Sequence, residues 1–210
     1  MSTAKSNQWL DATLESVLAA KPIENISLTQ PDITAEAAYD LQHQLIARLQ
    51  TPGGWGDIYG YKAALTAQAA QQAMGIDEPI IGALFQHGAK STNAQIAVHA
   101  DRPILLETEL GFTLSQAITE PVDLDTVLDS VGDCRGMIEL AAPNLQQRPS
   151  SIDLISSNSA SYGCLAVEAG VNPAQLDLDT LEVSLTRLSD TKETLHSVPA
   201  GTVMKGQLNA

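Results

Sequence analysis

The sequence predicts an α+β fold, with helices first and a mainly β body after them. Two observations carry this prediction. Apolar residues recur with helical spacing in the first fifty residues, and from Pro79 onward short apolar runs are separated by Gly, Asn and Pro. This change of texture predicts an N-terminal helical and α+β region over residues 1–78 and a mixed β body over residues 79–210, which together form one compact unit.

The first third contains two predicted amphipathic helices separated by Pro22 and Pro31. The first follows Ser6, a candidate cap, and the second follows Thr34 in the same role. The apolar positions with helical spacing are Trp9, Leu10, Leu14, Val17 and Leu18 in the first helix, and Leu41, Leu45, Ile46 and Leu49 in the second.

A strand is predicted next, from Asp57 to Leu65, and it leads into a short helix. Thr66 is the predicted cap of that helix, which covers Ala67 to Met74 and stops at Gly75. In the β body, one short helix is predicted, near Leu124 to Val131. The later strands are predicted at 137–140, 165–169, 181–188 and 193–197.

The charge balance is strongly acidic, with 25 acidic against 11 basic residues and a formal net charge of −14. This charge opposes non-specific binding to nucleic acid or to an anionic membrane, and it favours cation binding. No apolar stretch approaches the roughly 20 residues of a membrane span, and the polar N-terminus lacks a signal-peptide core. We therefore expect a cytoplasmic protein that has neither nucleic acid nor a membrane as a partner.

The cysteines and histidines show no spacing typical of a metal site. Cys134 and Cys164 are far apart in the sequence and are predicted to be core thiols. The histidines are scattered without a helical pair, so zinc chemistry is not predicted; they are His43, His87, His99 and His196.

Two acids within the apolar run 104–114 are the strongest sign of a site. Side chains of a strand alternate between its faces, so Glu107 and Glu109 project to the same side. A hard divalent ion such as Mg²⁺ or Mn²⁺ would relieve the repulsion between their carboxylates. The pair by itself is more typical of a half-exposed strand with a solvated acidic face.

Several segments, taken in order, resemble one known family. They are Gly60–Thr66, Gln71–Gly75, Pro79–Phe85, Leu106–Leu110, Met137–Leu140 and Asp153–Asn158. In this order they resemble the 2-keto-4-pentenoate hydratases, which belong with related 2-oxo acid decarboxylases to the fumarylacetoacetase superfamily. The resemblance implies a body similar to the C-terminal domain of fumarylacetoacetase. Gly201–Ala210 resembles a segment that is followed in the family by a helix and further strands, so the last C-terminal strands are expected to be lacking.

The resemblance also implies the metal ligands. Glu107, Glu109 and Glu139 would bind Mg²⁺ or Mn²⁺, with waters and substrate oxygens completing the coordination. All-oxygen ligation suits these hard cations better than softer metals.

The catalytic residues implied by the resemblance are Lys62, Asn158 and Ser159. Lys62 matches a lysine of the family's active site, where it would stabilise negative charge on the substrate or assist proton transfer. Asn158 and Ser159, together with Ser161, would orient water or the distal end of the substrate.

The implied activity is that of a metal-dependent hydro-lyase of aromatic meta-cleavage catabolism. It would add water to a 2-hydroxy-2,4-dienoate of the 2-oxo-4-pentenoate type and form a 4-hydroxy-2-oxo acid. Two alternatives stay open: a 2-oxo-3-enedioate decarboxylase with the same metal site, and a catalytically impaired or non-catalytic member that acts as a partner subunit. The implied partners are a small 2-oxo acid and further copies of the chain in a homo-oligomer, or a related subunit in a hetero-complex.

Overall fold

The computed structural model describes residues 4–98, 103–142, 144–167, 169–178, 180–188 and 190–202. Its helices are α1 (Ala4–Leu18), α2 (Ile26–Thr29), α3 (Ala35–Leu49), α4 (Gln68–Met74), α5 (Leu124–Ser130) and α6 (Ser151–Ser156). Its strands are β1 (Ile58–Ala64), β2 (Ile80–Phe85), β3 (Ala89–Lys90), β4 (Leu105–Leu114), β5 (Val131–Ala141), β6 (Ser161–Ala166), β7 (Glu182–Leu188) and β8 (Lys192–Pro199).

The chain divides into two compact units. The first is Met1–Ala89, Ile96–Leu105 and Leu140–Gly163, and the second is Lys90–Gln95, Leu106–Glu139 and Cys164–Ala210. The two units are the parts of the backbone that pack most closely together. The predicted boundary after residue 78 rests instead on the change from helical to strand-like apolar patterns, and it stays a prediction.

Helices α1 and α3 form the core of the first unit as their apolar periodicity predicts. Thr34 caps α3 as expected, because its hydroxyl accepts a hydrogen bond from the Ala37 amide at 3.2 Å. Ser6 is not a cap: it lies inside α1, and its hydroxyl donates to Gln30 Oε1 at 3.0 Å. The main buried cluster comprises Trp9, Leu10, Ile23, Ile26, Leu41, Leu45, Ile46, Leu49, Ala83 and Phe85.

Strands β1 and β2 form a two-stranded antiparallel sheet in which Lys62 lies opposite Gly82. Helix α4 follows β1 and ends at Gly75, whose φ of 68° is the left-handed conformation that glycine adopts readily. The predicted cap Thr66 is wrong by one position, because Ala67 occupies the cap and makes no side-chain capping bond.

The prediction of a single short helix after residue 79 is also wrong, because α6 lies there in addition to α5. Ser150 begins α6: its hydroxyl accepts from the Asp153 amide at 3.3 Å, and the Asp153 carboxylate accepts from the Ser150 amide at 2.9 Å. This Ser-x-x-Asp capping box is the local sequence signal of α6. The same carboxylate accepts from the amide and the hydroxyl of Ser27, which ties α6 to α2.

The second unit contains strands β7 and β8 and most of β4 and β5. A four-stranded sheet has the order β3-β6-β5-β4, and β7 and β8 form a separate antiparallel hairpin. Ser115, just after β4, donates its amide to the carbonyl of Ser130, just before β5, and Gly111 of β4 packs against Met137 of β5. As residue numbers fall along β4 they rise along β5, so the two strands are antiparallel.

Within the described parts of the chain, no helix has both the length and the apolar character needed to cross a membrane. His99 and the segment after Thr202, whose sequence resembles the family, lie outside the described residues.

Candidate functional site

Three acids come together where β4 and β5 pair in the second unit. One carboxylate oxygen from each of Glu107, Glu109 and Glu139 lies within 4.8 Å of the other two. Glu107 is exposed, Glu109 is half-buried, and Glu139 is only 5% exposed. The antiparallel pairing explains the cluster, because continuing it from Gly111 and Met137 carries Glu107 and Glu109 alongside Glu139.

The spacing of these oxygens fits one hard cation. Ligand distances of about 2.0–2.6 Å for Mg²⁺ and Ca²⁺ place oxygens that share an ion roughly 3–5 Å apart. The cluster contains only carboxylates, which are the donors such ions prefer. Glu107, Glu109 and Glu139 are thus a donor set that suits a divalent metal.

A neighbouring acid on β5 is neutralised within the protein instead. Arg135 donates to both carboxylate oxygens of Asp133, at 2.8 and 2.7 Å. These hydrogen bonds lower the pKa of Asp133 and raise the pKa of Arg135. Between them in the sequence, Cys134 is buried, and burial raises the pKa of its thiol. Cys134 and Cys164 are both buried and form no disulfide, as predicted.

A groove of about 390 Å³ runs beside the acid pair in the second unit. Leu106 to Leu110 of β4 form one side of it, including Glu107 and Glu109, and the β7–β8 hairpin forms another. The hairpin contributes Val183, Leu185, His196, Val198 and, just beyond it, Ala200. A groove that combines acids with an apolar wall suits a small organic acid whose polar end binds a metal.

His196 is a groove residue that the sequence reasoning missed. The spacing of the histidines bears only on zinc binding, so it does not point to His196. The available signal was strand alternation, since His196 and Val198 are two residues apart in β8 and line the same groove.

The three predicted catalytic residues meet in the first unit. Lys62 Nζ donates to the main-chain carbonyl of Ser159 at 3.4 Å. The Asn158 side chain accepts from the Ala83 amide at 2.7 Å and donates to the Ala83 carbonyl at 2.9 Å. Asn158 is 3% and Ser159 is 8% exposed. The geometry brings these residues together, and their roles stay predictions; the side chain of Ser161 lies outside what the structure describes.

Comparisons with known proteins point to one set of enzymes. No family model matches the chain. The chain is 31% identical over 182 residues to a 2-oxo-hept-4-ene-1,7-dioate hydratase of Escherichia coli, an alignment that covers 82% of this chain and 67% of that protein. It is 25% identical over 189 residues to a 2-keto-4-pentenoate hydratase of Paraburkholderia xenovorans strain LB400, with 89% of this chain and 70% of that protein covered.

The fold is that of a solved enzyme. The 4-oxalocrotonate decarboxylase of Pseudomonas putida G7, complexed with magnesium and adipate, superposes with a TM-score of 0.80. The superposition covers 99% of this chain and 79% of that chain at 20% sequence identity. The predicted α+β fold, with helices before a mainly β body, is confirmed by this similarity.

Proposed function

Because the chain belongs to the family of 2-keto-4-pentenoate hydratases and related 2-oxo acid decarboxylases, we propose that it is a divalent-metal-dependent hydratase. The proposed reaction adds one water to a 2-hydroxy-2,4-dienoate and yields a 4-hydroxy-2-oxo acid. The observation that carries the proposal is the cluster of Glu107, Glu109 and Glu139, whose oxygens are spaced for one hard cation. The two relatives compared above, both named hydratases, support the choice of reaction.

The roles proposed for the second unit follow from its donor set and groove. Glu107, Glu109 and Glu139 would hold Mg²⁺ or Mn²⁺, with the buried Glu139 as the most shielded of the three ligands. A bound divalent ion would supply Lewis acidity toward the 2-oxo acid unit of the substrate. Val183 and Leu185 in the groove wall would contact the carbon chain and exclude water from it.

The roles proposed for the first unit rest on the family resemblance. The Lys62 ammonium would stabilise negative charge on the substrate or deliver a proton to it. Asn158 and Ser159 lie next to Lys62 and would support this step.

Replacing Lys62 by methionine tests this role. We expect kcat to fall by about 10²- to 10⁴-fold, since a positioned proton donor contributes that much. The affinity for Mn²⁺ should be unchanged, because the three acids are intact. The exposed Lys21 offers a matched control, and Lys21→Met should retain wild-type kcat. A Lys62→Met enzyme with a kcat close to that of the wild type would remove Lys62 from the mechanism.

The proposed function itself is tested with metal-stripped wild-type protein. Mg²⁺ or Mn²⁺ is added back while the dienoate absorbance, the 4-hydroxy-2-oxo acid and, from a 2-oxo-3-enedioate, CO₂ are followed. Metal-dependent hydration supports the proposal. Release of CO₂ without hydration would favour the decarboxylase alternative, and metal binding without either reaction would favour a non-catalytic partner subunit. Absence of metal binding would refute the proposal.

We further propose that the reaction belongs to aromatic catabolism in the cytoplasm and that the chain works as a homo-oligomer, with a hetero-complex as the alternative. Neither nucleic acid nor a membrane is proposed as a partner. The net charge of −14 supports this last point.

A further inference from the structure

Among the residues that the structure describes, side chains rather than a third strand pair with the outer edge of β2. The Ile81 amide donates to Tyr39 Oη at 3.2 Å, and Gln42 Nε2 donates to the Ile81 carbonyl at 2.9 Å. One ladder step further, the amide group of Asn158 both accepts from and donates to Ala83. Asn158 therefore replaces one residue of a neighbouring strand, and both bonds are buried.

The backbone at Asn158 and Ser159 is left-handed, with φ values of 58° and 57°. Such values are uncommon for residues other than glycine, and two in succession persist only where the surroundings hold them. For Asn158, the two hydrogen bonds to Ala83 stabilise this conformation. The turn that results directs the Ser159 carbonyl at Lys62 Nζ, 3.4 Å away.

Gly82 has no side chain, and this leaves space for Lys62, Asn158 and Ser159 to pack together. A Cβ at this position would lie 3.3 Å from Asn158 O, 3.3 Å from Lys62 Cε and 3.4 Å from Ser159 Oγ. The Ser159 hydroxyl is buried, and it has no hydrogen-bond partner among the described residues. Lys62 is thus bound through the main chain of Ser159 rather than through its side chain.

We propose that Asn158 is a positioning residue, whose side-chain amide holds the Ser159 carbonyl against the Lys62 ammonium and so fixes where that ammonium lies. Its effect on the reaction rests on the proposed function of Lys62. Asn158 then acts through Lys62 and does not contact the substrate, because its amide is committed to Ala83 and its side chain is buried. The Ser159 hydroxyl has no part in this arrangement.

The test compares wild type, Asn158→Gly, Asn158→Ala and Ser159→Ala. Glycine keeps the left-handed turn accessible and removes the side-chain amide. Asn158→Gly therefore tests the hydrogen bonds to Ala83 separately from the backbone conformation. The first readout is the rate at which Lys62 is reductively methylated, resolved by peptide mass spectrometry. The exposed Lys21 and Lys192 are internal references in every sample. The second readout is the separate change in kcat and KM.

In wild type, Lys62 should react more slowly than Lys21 and Lys192. Both Asn158 variants should speed Lys62 methylation by about 2- to 12-fold, the range that the net free energy of one hydrogen bond allows. Their kcat should fall more than their KM changes. Ser159→Ala should leave the rate of Lys62 methylation unchanged, because the variant keeps the main-chain carbonyl that accepts from Lys62.

Wild-type Lys62 that reacts as fast as the reference lysines would refute the proposal without any variant. Folded Asn158 variants with unchanged Lys62 methylation would also refute it. Faster Lys62 methylation in Ser159→Ala would assign the contact to the hydroxyl and refute the proposal. The methylation readout needs no turnover, so it tests the contact between Lys62 and the Ser159 carbonyl even if the wild type hydrates no dienoate. Absence of hydration would refute only the proposed function.

Discussion

Replacing Glu139 by glutamine is expected to weaken Mn²⁺ binding by at least about 100-fold and to abolish metal-dependent turnover. Glu139 is the buried member of the acid cluster. Glutamine preserves its size and one oxygen but removes the negative charge that a hard dication requires. Loss of a group that merely supports a ligand already costs about 10- to 100-fold in affinity, so loss of a ligand's charge should cost more.

Calorimetric or EPR titration of metal-stripped protein with Mn²⁺ measures this effect. Glu120→Gln is the matched control, because it makes the same change of charge at an exposed residue outside the cluster. It should bind Mn²⁺ as the wild type does. Wild-type affinity in a folded Glu139→Gln variant would show that the three acids are not the metal site.

Replacing Asp153 by asparagine is expected to destabilise the protein by about 3–5 kcal/mol. Asp153 is 0% exposed, and its carboxylate accepts hydrogen bonds from Ser27, Ser150 and Asn25. Hydrogen bonds to a charged group contribute about 1.5–3 kcal/mol each, and an unsatisfied buried donor costs about 1–3 kcal/mol. The asparagine NH₂ cannot accept, so it leaves some of these donors without a partner. Denaturant unfolding measures the loss, and Asp32→Asn at an exposed position should cost little.

The stability contributed by Asp153 should depend on pH. Burial alone would raise the pKa of Asp153, but the hydrogen bonds from Ser27 and Ser150 together outweigh it and lower the pKa below its ordinary value of 3.8. A group with a lowered folded-state pKa stabilises the fold fully above its unfolded-state pKa. This stabilisation is lost as the pH falls through the folded-state pKa.

The difference in unfolding free energy between wild type and Asp153→Asn should therefore be constant at neutral pH and shrink in acid. Urea titrations at about pH 7 and about pH 3 test this, because at the lower value the unfolded chain binds a proton more readily than the native carboxylate does. An equal difference at both values would mean that the Asp153 carboxylate has no lowered pKa.

Local signals were sufficient for the elements that depend on their own residues. The apolar stripe of α3 and its cap Thr34 appear where the pattern predicts them, as does the end of α4 at Gly75. The hairpin of β7 and β8 matches the predicted strands at 181–188 and 193–197 to within about two residues at each end. Helices α2 and α6 are absent from the sequence prediction because each is too short to show an apolar periodicity. Helix α2 is held by the distant carboxylate of Asp153, whereas α6 begins with the local capping box of Ser150 and Asp153.

The candidate site divides in the same way. Strand alternation by itself determined that Glu107 and Glu109 share a face, and the family resemblance supplied Glu139 and Lys62. Only the tertiary structure decided that Glu139 joins the pair, because the pairing of β4 with β5 sets which distant residues become neighbours. It also decided that the Asn158 amide binds Ala83. A sequence pattern reports which side chains share a face, whereas hydrogen-bond partners across the fold depend on how its elements pack.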